Sequence, residues 1–359
     1  MAESAKSVSP AIIDDPADVT ALWLGQVLAS CGHEVAISSI HRESVGTGQM
    51  AHNERYRFTF DGDAGDAPGS VVIKFPSPSE ESRAAGGSGG YRNEVRFYTD
   101  LAADLSVVVP GCLHGAVSDD STSFTLVLED LAPARQGDQI DGASDDQILL
   151  AVENLAGLHA PRWGDPTLAD IDWLQSSGGE AVAYVELFTP MFIDRYQHRL
   201  SDRARMVFQE FGAKSAAWIE REPSIPTLVH GDYRLDNLMF GTSFGGAPVT
   251  AVDWQTIGVG CGLRDVAYLL GNSAEPEHRR RHEAEALERY RVAMAGLGVD
   301  LSTDEVMAMY RHGAFQGPFI TMLGSIAVGQ TDRGDDMFMV MAERSAAQIV
   351  DLDALDVIS

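Results

Sequence analysis

The sequence predicts an α+β fold in two parts, a small N-terminal part with an antiparallel sheet and a larger, mainly helical C-terminal part. Strand patterns concentrate early, where Arg55–Phe60 alternates polar and apolar residues as a half-buried strand does. Later in the chain, apolar residues recur at helical spacing, as in Ile148–His159. The polar, glycine-containing stretch Arg135–Asp146 lies near this change. We therefore divide the chain into residues 1–131 and 132–359.

Charge and hydropathy indicate a globular protein that neither binds nucleic acid nor crosses a membrane. The 359 residues include 26 Lys and Arg against 53 Asp and Glu, a net charge of −27. Such a field repels nucleic-acid phosphates, and it is compatible with a cationic substrate or simply with a solvated acidic surface. No apolar run approaches the roughly 18 residues of a membrane span. The polar start Met1–Pro10 lacks the apolar core of a signal peptide, so we expect a cytoplasmic protein.

Cysteine and histidine give no sign of a disulfide framework or a zinc site. The three cysteines, Cys31, Cys112 and Cys261, show no short pairing. Among the ten histidines we expect no pair at ligand spacing on a helix.

One helix and a sheet are predicted in the N-terminal part. The helix Ala17–Ser30 has its apolar residues at helical spacing. The predicted strands are Val35–Val45, Glu54–Phe60, Ser70–Phe75, Val107–Pro110 and Ser123–Leu128. Between the first two strands, Gly46 and Gly48 would let backbone N–H groups approach phosphate oxygens, although a plain hairpin loop explains these glycines equally well.

A lysine within the third strand is the sharpest feature of this part. Lys74 interrupts the apolar run Val71–Phe75, which is costly unless the ammonium is paired or faces a cleft. Glu94, on a predicted helical face, is a candidate partner. The alternative is a lysine on an edge strand that reaches water, with Glu94 solvated. Between the two, the glycine-rich stretch Ala84–Gly90 predicts a flexible loop, either a lid or a slack connector.

Helical patterns follow in the C-terminal part. They cover Ile148–His159, Glu180–Arg199, Asp202–Glu222, Ala274–Ala295, Thr303–Val328 with a break at Gly317–Pro318, and Met337–Leu355. We interpret His159 as a core histidine at a helix end.

Three polar side chains stand around short strands in the middle of this part. The apolar run Thr227–Val229 leads into His230-Gly-Asp232, Asn237 follows Asp232 by five positions, and a further strand ends at Asp253. Asp232, Asn237 and Asp253 are therefore predicted to converge. Phosphoryl transfer uses such a trio, one Asp for the proton of the attacking hydroxyl, and an Asn and an Asp for magnesium on the phosphates.

These motifs resemble the aminoglycoside-phosphotransferase-like family of small-molecule kinases, relatives of choline and ecdysteroid kinases with the two-lobed protein-kinase-like fold. The resemblance implies ATP (or GTP) and Mg²⁺ as cofactors and a small-molecule hydroxyl as acceptor. It implies that Asp232 is the catalytic base and that Asn237 and Asp253 hold the metal. For the nucleotide, it implies phosphate contacts by Lys74, positioned by Glu94, by the loop of Gly46 and Gly48, and hinge contacts through the backbone of Glu129 and Leu131.

Two departures from protein kinases carry information. Gly231 stands where protein kinases have an Arg, and the stretch from Asp253 to Asp265 is too short for a long activation loop. We therefore expect no switching by loop phosphorylation. His230 is predicted to brace the loop and Asp265 to be structural.

Other interpretations of the same residues are open. A catalytically inactive nucleotide-binding protein on the same fold is one alternative, and a metal-dependent hydrolase is another. The sequence names neither the acceptor, nor the choice between ATP and GTP, nor the oligomeric state.

Overall fold

A computed structural model describes residues 10–46, 51–174, 178–223, 225–241 and 246–359. The chain divides into two compact units, the first comprising Met1–Ala103 and Pro110–Ala132 and the second Asp104–Val109 and Pro133–Ser359. Each unit is described by itself below.

The first unit is a sheet with helices. Its helices are α1 (Ala21–Ser30), α2 (Glu80–Gly87) and α3 (Gly90–Arg96), and its strands are β1 (Ile37–Ser44), β2 (Ala51–Phe60), β3 (Ser70–Pro76), β4 (Cys112–Val117) and β5 (Phe124–Glu129). Within the described residues the five strands form one sheet in the order β1-β2-β3-β5-β4, and every neighbouring pair is antiparallel. The core of this unit joins one face of α1, including Leu24 and Val27, to inward residues of the sheet such as Tyr56, Ile73 and Phe75.

The second unit is mainly helical. Its helices are α4 (Asp145–His159), α5 (Gly178–Tyr196), α6 (Asp202–Glu220), α7 (Leu263–Ser273), α8 (Pro276–Gly296), α9 (Thr303–Gly313), α10 (Gln316–Ala327) and α11 (Asp332–Asp351). Its short strands are β6 (Arg135–Gln136), β7 (Thr227–Val229), β8 (Leu238–Phe240), β9 (Val249–Ala251) and β10 (Gly258–Gly260). β7 pairs with β10, and β8 pairs with β6 and β9.

Aromatic side chains fill the helical core of the second unit. Phe192 of α5 stacks on Phe208 of α6, and Phe211 stacks on Phe315 beside α10. All four rings are fully buried, and they belong to one core that α5, α6 and the start of α10 share. None of the described helices has the length and apolar character needed to span a membrane.

The α+β organisation predicted from the sequence is confirmed, with three local corrections. Val107–Pro110 is not a strand: Val107 is buried, and Val108 O accepts a hydrogen bond from the N–H of Ala251 in the second unit. The sheet is completed instead by β4. The predicted loop Ala84–Gly90 is helical as far as Gly87, and Gly90 begins α3. The break in Thr303–Val328 falls before Gln316, so that Gly317–Pro318 lies in the first turn of α10.

Candidate active site

A polar loop between two buried strands carries the predicted catalytic residues of the second unit. β7 is buried at all its positions, and the chain leaves it through His230 and Gly231 before the short turn Leu235–Asn237 leads into β8. Gly231 has φ +83°, and a Cβ at this position would lie 2.6 Å from Thr256 O. Only glycine meets both conditions without strain. The backbone conformation of this loop therefore depends on glycine at position 231.

The Asp232 carboxylate is held by three donors. The Asn237 Nδ2 group donates to Asp232 Oδ2 at 2.9 Å and to the Asp232 backbone oxygen at 2.8 Å. The Tyr268 hydroxyl, from α7, donates to Asp232 Oδ1 at 2.7 Å. Arg234 Nε lies 3.2 and 3.3 Å from the two carboxylate oxygens. These contacts fix the orientation of a carboxylate that is still partly exposed to solvent.

Arg234 links this carboxylate to a second one. Its NH1 group donates to Asp236 Oδ2 at 2.6 Å, and Asp236 accepts the backbone N–H of Gln139 at 3.0 Å. Burial opposes the charge of Arg234, but Asp232, Tyr268 and Asp236 outweigh it, so that its pKa is raised. Burial and the Asp232 carboxylate also raise the pKa of Tyr268 well above its ordinary value, which keeps the hydroxyl protonated as a donor.

Asp253 follows β9 and is tied through its neighbour to Asn237. The backbone N–H of Val252 donates to Asn237 O at 3.0 Å. Asp253 is the residue that follows Val252. Asp253 has φ +66°. A non-glycine residue in this left-handed region carries strain of about 1–3 kcal/mol, which is commonest at functional sites. A carboxamide and a carboxylate offer the hard oxygen atoms that Mg²⁺ prefers, so this pair of residues fits the predicted metal.

A buried carboxylate braces the loop. Asp265 of α7 is fully buried and accepts the backbone N–H groups of His230 at 2.6 Å and Gly231 at 3.0 Å. His159 Nε2 lies 3.4 Å from the same carboxylate. Burial alone would raise the pKa of Asp265, but the hydrogen bond and charge of His159 and the contacts of His230 outweigh it and lower this pKa. His159 and Asp265 are both fully buried, as expected for residues with a structural role.

His230 and Gln316 complete the bracing. His230 Nδ1 accepts the N–H of Asp232 at 3.3 Å, which leaves the ring proton on Nε2, 3.1 Å from Val252 O. Gln316 is buried and donates from Nε2 to Gly231 O at 2.7 Å. His230 thus joins the segments that carry Asp232 and Asp253.

The first unit contains the predicted lysine–glutamate pair. Lys74 Nζ lies 2.7 Å from the Glu94 carboxylate, and the two residues are only 7 % and 1 % exposed. β3 runs between β2 and β5, with Lys74 opposite Asn53 and Leu126. The alternative of an edge-strand lysine in water is therefore wrong.

The other predicted nucleotide contacts occupy loops and strand ends of the first unit. Gly46 follows β1 and has φ +79°, whereas Gly48 lies outside the described residues. Glu129 ends β5, where its N–H donates to Gly111 O at 2.8 Å and its carboxylate accepts the N–H of Gly111 at 3.1 Å. Leu131 is half-buried. The roles of these residues, and the meeting of Lys74 with the loop of the second unit around one nucleotide, stay predictions.

Sequence reasoning missed three side chains at this site. Arg234 is adjacent to the motif, and its position as a basic residue between two aspartates is a signal that could have identified it. Tyr268 and Gln316 lie 36 and 85 positions from their partners, Asp232 and Gly231, and neither has a local signal.

A protein family and several solved structures are similar to this chain. The model of the phosphotransferase enzyme family matches residues 47–298. A variant of aminoglycoside 2′-phosphotransferase-IIIa, solved with GDP, has a TM-score of 0.55 at 15 % identity, over 93 % of this chain and 100 % of the other. Choline kinase from Cryptosporidium parvum Iowa II has a TM-score of 0.55 at 9 % identity, over 88 % and 92 % of the two chains.

Ethanolamine kinase from Plasmodium vivax has a TM-score of 0.53 at 9 % identity, over 84 % of this chain and 81 % of the other. No curated protein sequence matches the chain. These structures show the kinase-like fold, and the family model covers more than half of the chain. The chain therefore belongs to the phosphotransferase enzyme family.

Proposed function

We propose that this protein is a kinase that transfers the γ-phosphate of ATP or GTP to a hydroxyl group of a small molecule. The observation that carries the proposal is the Asp232 carboxylate, oriented by Asn237, Arg234 and Tyr268 on a loop that Asp265 and Gln316 brace. A carboxylate fixed in this way, yet partly exposed, suits a group that must meet one hydroxyl in one orientation.

Asp232 is the residue assigned to the proton of the acceptor. It accepts a hydrogen bond from the substrate hydroxyl and takes its proton as the oxygen attacks the γ-phosphorus. The bond from the γ-phosphorus to the oxygen bridging the β-phosphate breaks, and the nucleoside diphosphate leaves. Because the protein forms no covalent bond with the transferred phosphoryl group, most of the rate acceleration comes from positioning the reactants and from neutralising charge.

The remaining charges suit the nucleotide. Lys74, held by Glu94, is assigned to the phosphate oxygens, and its buried pairing keeps the ammonium in one position. Asn237 and Asp253 are assigned to Mg²⁺, which supplies neutralisation of the phosphate charge when it is bound. Gly46, Gly48, Glu129 and Leu131 stay assigned to the loop and hinge around the nucleotide.

The net charge of the chain supports a proposal for the class of acceptor. The similar structures include an aminoglycoside phosphotransferase, a choline kinase and an ethanolamine kinase, proteins named for cationic alcohols. This chain has a net charge of −27. A net negative charge attracts cationic small molecules, so amino alcohols are the first acceptors to test.

The test is a transfer assay with γ-labelled ATP and GTP against a library of alcohols that includes amino sugars and choline-like amines. Asp232→Ala should lower acceptor-dependent turnover by at least about 10²-fold while MgATP affinity changes little. Asp170→Ala, at an exposed carboxylate, is the matched control and should keep full activity. Full activity of Asp232→Ala, or nucleotide binding with no acceptor in the library, would contradict the proposal; the second result favours an inactive nucleotide-binding protein.

A further inference from the structure

A cluster of two histidines and one aspartate lies in the second unit, between helices that carry none of the three residues proposed above for catalysis and metal binding. Asp145 is the first residue of α4, and His278 and His282 lie in the first turns of α8. The two histidines are four positions apart on one helix and therefore share a face. The expectation that no histidine pair has ligand spacing is thus wrong.

The ligand atoms of these three side chains converge. Each residue offers one nitrogen or oxygen atom, and these atoms all lie within 4.8 Å of one another. His278 Nε2 contacts Asp145 Oδ1, and His282 Nε2 lies 3.5 Å from the same oxygen. The two imidazole rings stand edge to face, with centroids 5.0 Å apart. Two ring nitrogens are therefore aimed at one carboxylate from the same side.

The cluster is open to ions and is held by the fold. The side chains of Asp145, His278 and His282 are 51 %, 22 % and 29 % exposed. The helices beneath them are fixed, because the Ser144 capping box anchors the start of α4 and Leu155 of α4 and Leu287 of α8 are both buried. An ion can reach the three side chains without any movement of the backbone.

We propose that Asp145, His278 and His282 form a binding site for one divalent transition-metal ion, with Zn²⁺ and Ni²⁺ as the best candidates. Two imidazole nitrogens and one carboxylate oxygen suit these metals, whereas Mg²⁺ and Ca²⁺ prefer oxygen ligands alone. Ligand atoms about 2.0–2.2 Å from Zn²⁺ stand roughly 3.5 Å apart in a tetrahedron, close to the separation of His282 Nε2 and Asp145 Oδ1. His278 Nε2 contacts Asp145 Oδ1 more closely than this, so the His278 side chain has to turn away from that oxygen when the ion binds. Water would supply the remaining ligand.

The competing explanation is an ion pair without metal. Asp145 lies at the N-terminus of α4, where a carboxylate stabilises the helix whether or not a metal binds. Its loss would therefore be ambiguous. A single histidine would be enough for an ion pair, whereas the second histidine aimed at the same oxygen is what a chelate requires. The histidines are consequently the residues to change.

A bound metal would join the starts of α4 and α8. At the other end of α4, His159 Nδ1 bonds the Tyr290 hydroxyl of α8 at 2.9 Å, and its Nε2 faces Asp265. The two helices would then be tied at both ends of their contact. The expected effect is a more stable second unit, independent of the proposed transfer activity.

The experiment measures Zn²⁺ and Ni²⁺ binding by calorimetry and by metal analysis after dialysis, on full-length protein free of any histidine tag. The buffer contains excess Mg²⁺, which occupies sites made of oxygen ligands so that they do not bind the added Zn²⁺ or Ni²⁺. A Cys31→Ser/Cys112→Ser background removes the two exposed thiols, which would bind Zn²⁺ themselves. His278→Ala/His282→Ala is compared with His41→Ala/His198→Ala, which removes two other exposed histidines.

We expect one ion per chain, binding that weakens at least about 10-fold in His278→Ala/His282→Ala, and unchanged binding in the control pair. The midpoint of thermal unfolding should rise with metal in the parent and the control but not in the site variant. The metal-free midpoint of each variant shows that it has folded. Absence of saturable binding to the parent, or equal binding by the site variant and the control, would overturn the proposal.

Discussion

At the scale of single residues, the hydrogen bond from the Tyr268 hydroxyl to Asp232 can be tested by a substitution that removes only the hydroxyl. This hydroxyl donates to Asp232 Oδ1 at 2.7 Å and, with its raised pKa, stays protonated. Tyr268→Phe removes this donor and leaves the ring in place. Because one lost hydrogen bond to a charged group is worth about 1.5–3 kcal/mol, we expect turnover to fall about 10- to 100-fold. Steady-state kinetics with the best acceptor measures this.

Tyr310→Phe is the matched control for Tyr268→Phe. Tyr310 is equally buried, and its hydroxyl donates to Glu283 at 2.6 Å, away from the catalytic loop. The two variants should lose similar stability in chemical unfolding, and only Tyr268→Phe should lose turnover. An equal loss of turnover in both would mean that Tyr268 acts through general stability.

Gly231 has two separable reasons to be glycine. Its φ of +83° disfavours a side chain, and a Cβ would meet Thr256 O at 2.6 Å. Gly298 has a similar φ of +91° with no atom within 4 Å of a Cβ. Gly298→Ala should therefore cost only the backbone strain, about 1–2 kcal/mol, and Gly231→Ala should cost about 1–3 kcal/mol more because of the overlap.

Urea unfolding of Gly231→Ala and Gly298→Ala gives the two free energies of unfolding. Equal losses would show that the loop relaxes away from Thr256 without cost. This outcome would leave the positive φ of residue 231 as the physical reason for glycine where protein kinases have an Arg.

At the residue scale, what the sequence predicted depended on separation along the chain. Asp232 and Asn237 are five positions apart on one loop, and a turn of that length brings their side chains to 2.9 Å. Tyr268 reaches the same carboxylate from α7, and nothing in its local sequence distinguishes it from a core tyrosine. The spacing of His278 and His282 was visible, but only the fold brings Asp145 to them.

At the scale of elements, α7 holds, through Asp265, the loop that carries Asp232. Asp265→Asn removes the buried charge that accepts the N–H groups of His230 and Gly231, and breaking such a buried arrangement costs about 3–5 kcal/mol. The folded-state pKa of Asp265 is lowered below its unfolded value. Its contribution is therefore fully present above about pH 4, the unfolded value, and is lost as pH falls through the lower folded value.

Unfolding free energies of wild type and Asp265→Asn across pH 3 to 7 measure this contribution. The difference should be largest at neutral pH and shrink below about pH 4. Asp170→Asn, at an exposed carboxylate, should change stability little throughout. A difference that grows on acidification would contradict the lowered pKa of Asp265.

Elements with a clear hydrophobic period were predicted well, whereas elements whose structure depends on tertiary packing were not. α6 was predicted as Asp202–Glu222 and spans Asp202–Glu220. The glycines after Ala84 suggested a loop, but a Cβ on Gly86 would lie 2.3 Å from the Tyr91 ring, so this glycine permits close helix packing. The apolar run at Val107 looked like a strand, but Val107 is buried while Val108 is exposed, and composition alone does not separate an apolar loop from a strand.

At the scale of the whole molecule, the residues proposed for the nucleotide and for catalysis are distributed over the two units. Lys74 and Glu94 belong to the first, and Asp232, Asn237 and Asp253 to the second. The order of these motifs along the chain predicted the kinase-like fold, which the family model and the similar structures bear out. Composition could not predict the acceptor, because a net charge favours cations in general and selects no particular alcohol.

The assignment of Lys74 and Asp253 to the phosphates of one nucleotide makes a quantitative prediction about these two residues. Lys74→Ala, Asp253→Ala and the double variant form a cycle for MgATP affinity measured by calorimetry. If both residues act on the same phosphates, the losses should not add, and the coupling should be about 0.5–3 kcal/mol. In nucleotide-free unfolding no shared ligand couples the two residues, so the same changes should add within about 0.5 kcal/mol. Additive losses of MgATP affinity would mean that the lysine and the aspartate do not share a ligand, and the assignment of Lys74 to the phosphates would fall.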